Sequence, residues 1–328
     1  GINRFTKVRL MRQLLILELW LKKLWETKMT IQYHNPVLLR PSLEGLNIKP
    51  DGVYVDVTFG GGGHSRAILE QLDENGRLIG FDQDLDAISN MIDDSRFKLI
   101  AANFSHLSQY LKFHNIKSVD GILADFGVSS HQFDTSERGF SIRTEGRLDM
   151  RMNQTQSLDA FSVVNDYEEE VLCDVLVKYG ELRNAKGLAK SIVQARGEKK
   201  IVSTQDLIAV VHPLVPQRIE NKVLAQLFQA IRIEVNSELE VLQSFLLQAE
   251  SNLHIGGRLV CISYHSLEDR LVKRFFHTGN FEGTVKKDFY GNPQVKLERI
   301  GKLIVPSEEE IRQNGRARSA KLRIAEKK

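Results

Sequence analysis

The spacing of apolar residues along the chain changes period twice. Between residues 53 and 128, short runs rich in β-branched and aromatic residues alternate with segments whose apolar positions recur as on a helix. Such alternation predicts βα units and a parallel sheet. The predicted strands are 53–59 (VYVDVTF), 77–81 (RLIGF), 97–101 (FKLIA) and 119–124 (VDGILA). From residue 159 to 249 only helical spacing occurs. Val171, Leu172, Val175, Leu176 and Tyr179 share one face, with Gly180 as the predicted stop. Ala185, Leu188, Ala189, Ile192 and Val193 share a second. Leu224, Leu227, Phe228, Ile231, Val235, Leu239 and Leu242 make a third, longer one. Strand-like spacing returns at 259–263 (LVCIS), introduced by Gly256 and Gly257, and segments 295–303 and 319–325 read as a closing pair. The predicted fold class is therefore α/β, with residues 29–135 and 250–328 forming one domain and residues 136–249 an inserted all-helical domain.

The first predicted strand runs into four consecutive glycines, Gly60 to Gly63, then His64, Ser65 and a helical segment. Strand, glycine turn and helix open a nucleotide-binding unit: glycine allows the tight turn and the close approach of a ligand, and the helix start offers free N–H groups. Asp82, at the end of the second strand, stands where such folds hold the two hydroxyls of a ribose. Two ligands fit this description. A dinucleotide calls for a spaced G-x-G-x-x-G, whereas this run is contiguous. S-adenosylmethionine carries no phosphate, and Asp56 at the strand end could receive its ammonium group. The residues favour S-adenosylmethionine and leave a nicotinamide-dependent oxidoreductase as the competing class.

Length and composition narrow the picture further. The chain has 328 residues, long for one domain, with 42% hydrophobic and 27% charged residues, an ordinary globular balance. A net charge of +3 says little by itself. Near the C-terminus, however, Arg312, Arg316, Arg318, Lys321, Arg323, Lys327 and Lys328 face Glu326 alone from residue 311 onward, a pattern suited to phosphate contact. The two cysteines, Cys173 and Cys261, lie in unrelated apolar segments, which argues against a disulfide framework and for a reducing, cytoplasmic setting. The histidines show no metal-ligand spacing, so no metal is expected. Residues 14–25 are apolar but broken by Glu18, Lys22 and Lys23, too short for a membrane span and lacking a cleavage site. Residues 1–28 read as an N-terminal extension outside the fold, with Met29 as its expected start.

Three stretches could carry chemistry. Asp125, at the end of the fourth strand, can accept the N–H bonds of an exocyclic amine and aim its lone pair at a methyl donor. It is the candidate catalytic residue. The loops containing Arg138, Asp149 and Arg151 pair charge with aromatics, as RNA-gripping loops do. His265 follows the fifth strand, where ligand groups gather, although a helix cap by Ser266 with Asp269 three residues on explains part of that wording.

At this point the ordered motifs HNPVLL, DVTFGGGGHS, GFDQD, ADFGVSS, ERGFS, LDMRM, FQAIRIEVNSELE, ISYHSLEDR and RARSAKLRIAE resemble the RsmH (MraW) family from His34 to Glu326. That resemblance implies a Rossmann-like class I S-adenosylmethionine-dependent methyltransferase domain with a helical insert. It implies methylation of N4 of a decoding-region cytidine in bacterial 16S rRNA, within the small ribosomal subunit or its precursor. It carries a cofactor site onto Gly62, Gly63, His64, Asp82, Phe104, Asp125 and Gln132; the candidate RNA contacts, Arg138, Asp149, Arg151, His265, Arg316 and Arg318, come from the charged loops, the segment after the fifth strand and the basic tail. Phe126, His131, Arg147 and Gly315 depart from the family's usual wording. A non-catalytic RNA-binding protein and a DNA amino-methyltransferase are the other functional classes, and the oligomeric state is open, a homodimer included.

Overall fold

The computed structural model describes residues 36–328. The readings made for residues 1–28, and for His34 and Asn35, lie outside the described residues. A seven-stranded sheet has the order β3-β2-β1-β4-β5-β7-β6. Its strands are β1 (Val53–Asp56), β2 (Arg77–Asp82), β3 (Phe97–Ala101), β4 (Val119–Asp125), β5 (Leu253–Ser263), β6 (Leu297–Ile304) and β7 (Lys321–Lys327). β3, β2, β1, β4 and β5 pair in parallel, and β7 is antiparallel to both β5 and β6. The closing pair read from the sequence is thus β6 with β7, and its place at the β5 edge is set by the register Cys261↔Arg323.

Helices cover both faces, which is why the central strands are apolar at nearly every position. On one face Val55, Phe81, Ile122 and Cys261 pack against α3 (Leu107–Phe113), α10 (Glu238–Asn252) and α11 (Ser266–Thr278). On the other, Tyr54, Leu78, Leu123 and Val260 pack against α1 (Leu39–Leu46) and α2 (Gly63–Leu69). β1 is shorter than predicted. The Asp56 carboxylate accepts the N–H of Thr58 (3.1 Å), while the N–H groups of Val57 and Phe59 still donate to the Leu123 and Phe81 carbonyls of the neighbouring strands (both 2.9 Å).

All strands lie before residue 126 or after residue 252. Between them run α4 (Ser130–Asp134), α5 (Ala160–Asp166), α6 (Glu169–Gly180), α7 (Ala185–Glu198), α8 (Thr204–Val211), α9 (Glu220–Asn236) and α10. Leu172, Leu176, Ala189, Leu227 and Ile231 are fully buried in a core of their own.

Several local readings are corrected. The face predicted from Leu224 to Leu242 is not one helix: Ser237 adopts φ 48° and breaks it into α9 and α10. As a result Leu239 belongs to the helical core, while Leu242, Phe245 and Leu246 belong to that of the sheet. α6 ends at Gly180 as read, but Glu181 and not the glycine takes the left-handed conformation (φ 49°), and Gly180 lets α9 approach closely, since a Cβ there would lie 3.1 Å from the Gln226 carbonyl. Val171 is exposed rather than on the buried face. β5 begins before its glycines, with an irregular register opposite β4 and Gly256 at φ 81°.

The loop from Ser136 to Met152 joins the sheet to the helical core and depends on glycine at two points, one of them Gly146, where a Cβ would lie 1.8 Å from the Ser136 carbonyl oxygen. Gly139 has φ 71°, and a Cβ there would lie 2.1 Å from the Arg147 carbonyl oxygen. Gly139→Ala is therefore expected to lower stability by about 1–3 kcal/mol, because backbone and not a side chain must yield. Urea unfolding of the two proteins checks this.

Candidate active site at the carboxyl ends of the strands

The glycine loop, β1, β2, β3 and β4 meet at the carboxyl edge of the sheet, where open α/β folds bind ligands. The loop turns through Gly60 (φ 50°) and Gly62 (φ 74°), while at Gly61 a Cβ would meet nothing within 4 Å, so one side of the loop is open. Gly63 packs inward, where a Cβ would lie 2.4 Å from the Pro36 ring. The N–H of Gly60 donates to Asp82 Oδ2 (2.8 Å), and that of Asp84 to Asp82 Oδ1 (2.8 Å), so the predicted ribose acid also fixes the loop. Asp56 is buried, accepting from Ser65 Oγ (2.7 Å). Asp125 Oδ1 accepts from the Tyr264 hydroxyl (2.8 Å), and the Asp125 N–H donates to Thr58 Oγ1 (2.7 Å).

Three carboxylates thus stand around one loop, and their surroundings oppose ionisation. Burial pushes Asp125 up to about 7, helped by the charges of Asp56 and Glu268 and opposed by the Tyr264 hydrogen bond. Burial likewise pushes Asp82 up to about 6 and raises Asp56. His64 is buried and its pKa is pushed down to about 4, so the ring is neutral at pH 7. Nε2 lies 3.2 Å from the Val37 carbonyl, which assigns the proton to Nε2 and leaves the Nδ1 lone pair 3.9 Å from Asp125 Oδ2. Two acceptors at that separation suit an ammonium group. A pyrophosphate in the same place would meet Asp56, Asp82 and Asp125 as like charges, whereas a sulfonium with an ammonium would relieve them. The donor set fits S-adenosylmethionine and disfavours the dinucleotide.

Phe104 follows β3 and packs edge-on against Phe245 (5.3 Å between centroids) and near Phe126 (6.2 Å). Phe104, Phe126, Gln83, Asn103 and Thr58 line a pocket whose far wall is Gly127, Met152, Asn236, Glu238 and Glu268. Of the predicted cofactor residues Phe104 lines this pocket; Asp82 and Asp125 each precede a lining residue, Gln83 and Phe126, and His64 lies 3.9 Å from Asp125. Gln132 lies one step behind. Its Oε1 accepts from the Ser129 N–H (3.0 Å) in a capping box of α4, and its Nε2 donates to Asp84 Oδ2 (2.6 Å).

The residues read as RNA contacts are distributed differently. Arg138 is buried and faces inward: Nη1 reaches Asp84 and Asp86 (both 2.8 Å), and Nη2 donates to the carbonyls of Arg151 (2.8 Å) and Met152 (3.2 Å). Asp149 and Arg151 form a bidentate pair with each other (2.9 and 2.7 Å). Arg138 thus ties the loop to Asp84 and Asp86, with its Nε buried and unpartnered, while Asp149 and Arg151 chiefly bond each other. His265 is the helix cap in place of the predicted Ser266: it and Glu268 form the capping box of α11. Its Nε2 lies 3.1 Å from Glu268 Oε1, without hydrogen-bond alignment. Glu238, His265 and Glu268 have donor atoms within 4.8 Å of one another, an acid-histidine cluster that the histidine spacing did not show. Arg232 already balances it, gripping Glu238 through Nε (2.7 Å) and Nη2 (2.9 Å). Arg316 is exposed, paired with Asp134 and stacked over Phe133 (5.6 Å), and Arg318 is exposed.

Sequence reasoning missed Tyr264 and the far wall. Tyr264 had a usable signal, as the first residue after the strand that pairs with β4, opposite Asp125. Met152, Asn236 and Glu238 lie inside the motifs LDMRM and FQAIRIEVNSELE, but nothing local to those stretches marks them as pocket residues.

Comparison with known proteins follows this geometry. The MraW methylase family matches residues 31–328. The ribosomal RNA small subunit methyltransferase H of Flavobacterium johnsoniae is 59% identical over 298 residues, covering 91% of this chain and 99% of that protein. Its counterparts in Christiangramia forsetii and Bacteroides fragilis are 57% and 54% identical, each covering 90% of this chain and 98% of the relative.

The raised carboxyls make stability depend on pH in a definite direction. Between the unfolded pKa near 4 and the folded value near 7, Asp125 keeps a proton in the folded chain that the unfolded chain has lost. Stability from this group is full below pH 4 and is lost as pH rises to 7. Asp125→Asn should remove that loss. The variant is expected to exceed the parent by about 1–2 kcal/mol at pH 8, allowing for the pocket's access to solvent, with the difference shrinking at pH 5. Urea unfolding at the two pH values reads it.

Proposed function

We propose a mechanism from one premise, that the chain belongs to the MraW methylase family. It is an S-adenosylmethionine-dependent methyltransferase of small-subunit ribosomal RNA, and the base it modifies is a cytidine at N4. The observation that carries the detailed reading is the placement of Asp125, which accepts from the Tyr264 hydroxyl (2.8 Å), lies 3.9 Å from His64 Nδ1 and directly precedes the pocket-lining Phe126.

S-adenosylmethionine supplies an electrophilic methyl group when bound. His64 Nδ1 with Asp125 would hold its ammonium, Asp82 its ribose, and Phe104 its adenine, which leaves the Gly127 side of the pocket for the base. An exocyclic amine is a poor nucleophile because its lone pair is delocalised into the ring. A carboxylate oxygen of Asp125 accepting one N–H bond favours the pyramidal amine and fixes its direction. Asp125 can also take up the proton that the amine releases. Tyr264 is the positioning residue, holding Oδ1 and leaving Oδ2 toward His64 Nδ1 at 3.9 Å. Glu268 supports it from behind by accepting the Tyr264 N–H (2.9 Å).

We assign Arg138, Asp149 and Arg151 to shaping the loop that walls the pocket, and Arg316 and Arg318 to phosphate contact on the exposed C-terminal side. Among the described residues no helix is long and apolar enough to cross a membrane.

Transfer of tritium from labelled cofactor to small ribosomal subunits, followed by nucleotide mapping, tests the assignment. Label on cytosine N4 is expected; label on another base or on a ring carbon would overturn it. Asp125→Ala should lose about 100-fold or more in kcat. Tyr264→Phe should retain activity but move the acid limb of the rate profile to higher pH, since the lost hydrogen bond had held the Asp125 pKa down. An unmoved limb removes Tyr264 from the mechanism.

A further inference from the structure

Between α11 and β6 the chain projects a hairpin that the methyl-transfer site does not use. Its arms are joined by the Lys287–Pro293 bridge, by the Asp288 N–H on the Asn292 carbonyl (2.9 Å) and by the Gln294 N–H on the Lys286 carbonyl (2.8 Å). Its root is anchored where Phe281 stacks on Phe275 of α11 (5.2 Å, 16° between planes). Its tip carries Phe289 and Tyr290, 98% and 85% exposed; the next large apolar side chain among the described residues is Ile255 at 79%.

The turn holding these rings is built. The Asp288 carboxylate accepts the N–H groups of Tyr290 (2.9 Å) and Asn292 (2.8 Å) and the Asn292 side-chain amide (3.1 Å), and Gly291 supplies φ 87°. The rings stand nearly perpendicular, 5.6 Å apart, so each presents a face or an edge outward. Lys286 and Lys287 are exposed on the adjoining arm. Two fixed aromatic rings beside two cations match what an unpaired base and its phosphate require.

We propose that this hairpin is an rRNA anchor, with Phe289 and Tyr290 stacking on unpaired bases and Lys286 and Lys287 meeting the neighbouring phosphates. The proposal rests on small-subunit rRNA being the substrate. α11 starts beside the pocket and spans 13 residues, about 20 Å at 1.5 Å per residue, before the hairpin begins. The anchor therefore holds a stretch of RNA away from the target nucleotide, and it acts on substrate affinity rather than on the chemical step.

Steady-state methyl transfer to small subunits and photocrosslinking test it together. A Phe289→Ala/Tyr290→Ala double variant should raise KM by about tenfold or more with kcat unchanged. Phe289→Trp/Tyr290→Trp should restore KM, because tryptophan still stacks. The full chain with p-benzoylphenylalanine in place of Phe289 should crosslink to 16S rRNA. An unchanged KM in the alanine variant overturns the proposal. So does crosslinking only to a ribosomal protein, a second copy of the chain or added lipid vesicles. If the parent protein transfers no methyl to the subunit, the functional reading fails instead, and the crosslink still reports whether the hairpin meets RNA.

Discussion

The structure depends on keeping three carboxylates, Asp56, Asp82 and Asp125, around one glycine loop at the edge of a parallel sheet. Each sits at the end of an adjacent strand, where a dry core forms the floor and the helices on both faces limit access of water. Charges in such a place are costly, and each acid meets the cost with local donors: Ser65 and the Thr58 N–H for Asp56, the Gly60 and Asp84 N–H groups for Asp82, and Tyr264 for Asp125. Those donors also fix the glycine loop and the fourth strand end in place. The same bonds that stabilise the acids fix the glycine loop beside the pocket-lining Thr58, Gln83 and Phe126.

From that edge a polar chain runs into the helical part. Asp84 receives Gln132 and Arg138, Arg138 holds the carbonyls of Arg151 and Met152, and Asn236 accepts the Met152 N–H (2.8 Å) while donating to the Met150 carbonyl (2.8 Å). Asn236 is the last residue of α9, one before the break at Ser237, and Glu238 just beyond the break is gripped by Arg232. The break lets α10 leave the helical core and cover the sheet, so that a single kinked pair of helices contributes to both hydrophobic cores. Cofactor-side and far-wall residues are therefore positioned by one connected set of bonds. Arginines that looked suited to RNA from their wording alone turn out to hold this joint.

Much of the fold was legible in the chain. Period-two and period-3.6 spacing located the strands to within a few residues, and the loss of strand spacing between β4 and β5 marked the helical stretch. Errors fell at ends and breaks. Ser237 takes a left-handed conformation that no glycine or proline announces, and it does so because α9 and α10 pack on separate cores. The cap of α11 lay one residue earlier than read because a histidine ring, not the neighbouring serine, faces the free N–H.

By itself the sequence determined the strand-glycine-helix unit, the acids at the strand ends and, through its ordered motifs, the family. These are local facts: each strand end and each glycine turn is written in neighbouring residues. Only the tertiary structure decided which charged residues face the cavity and which are interior ties. It placed Tyr264 on Asp125, turned Arg138 inward, and brought Glu238, Asn236 and Met152 to the far wall from positions distant along the chain. The physical reason is that a side chain's partner across a sheet or between two cores depends on register and packing, which spacing within a single segment does not encode.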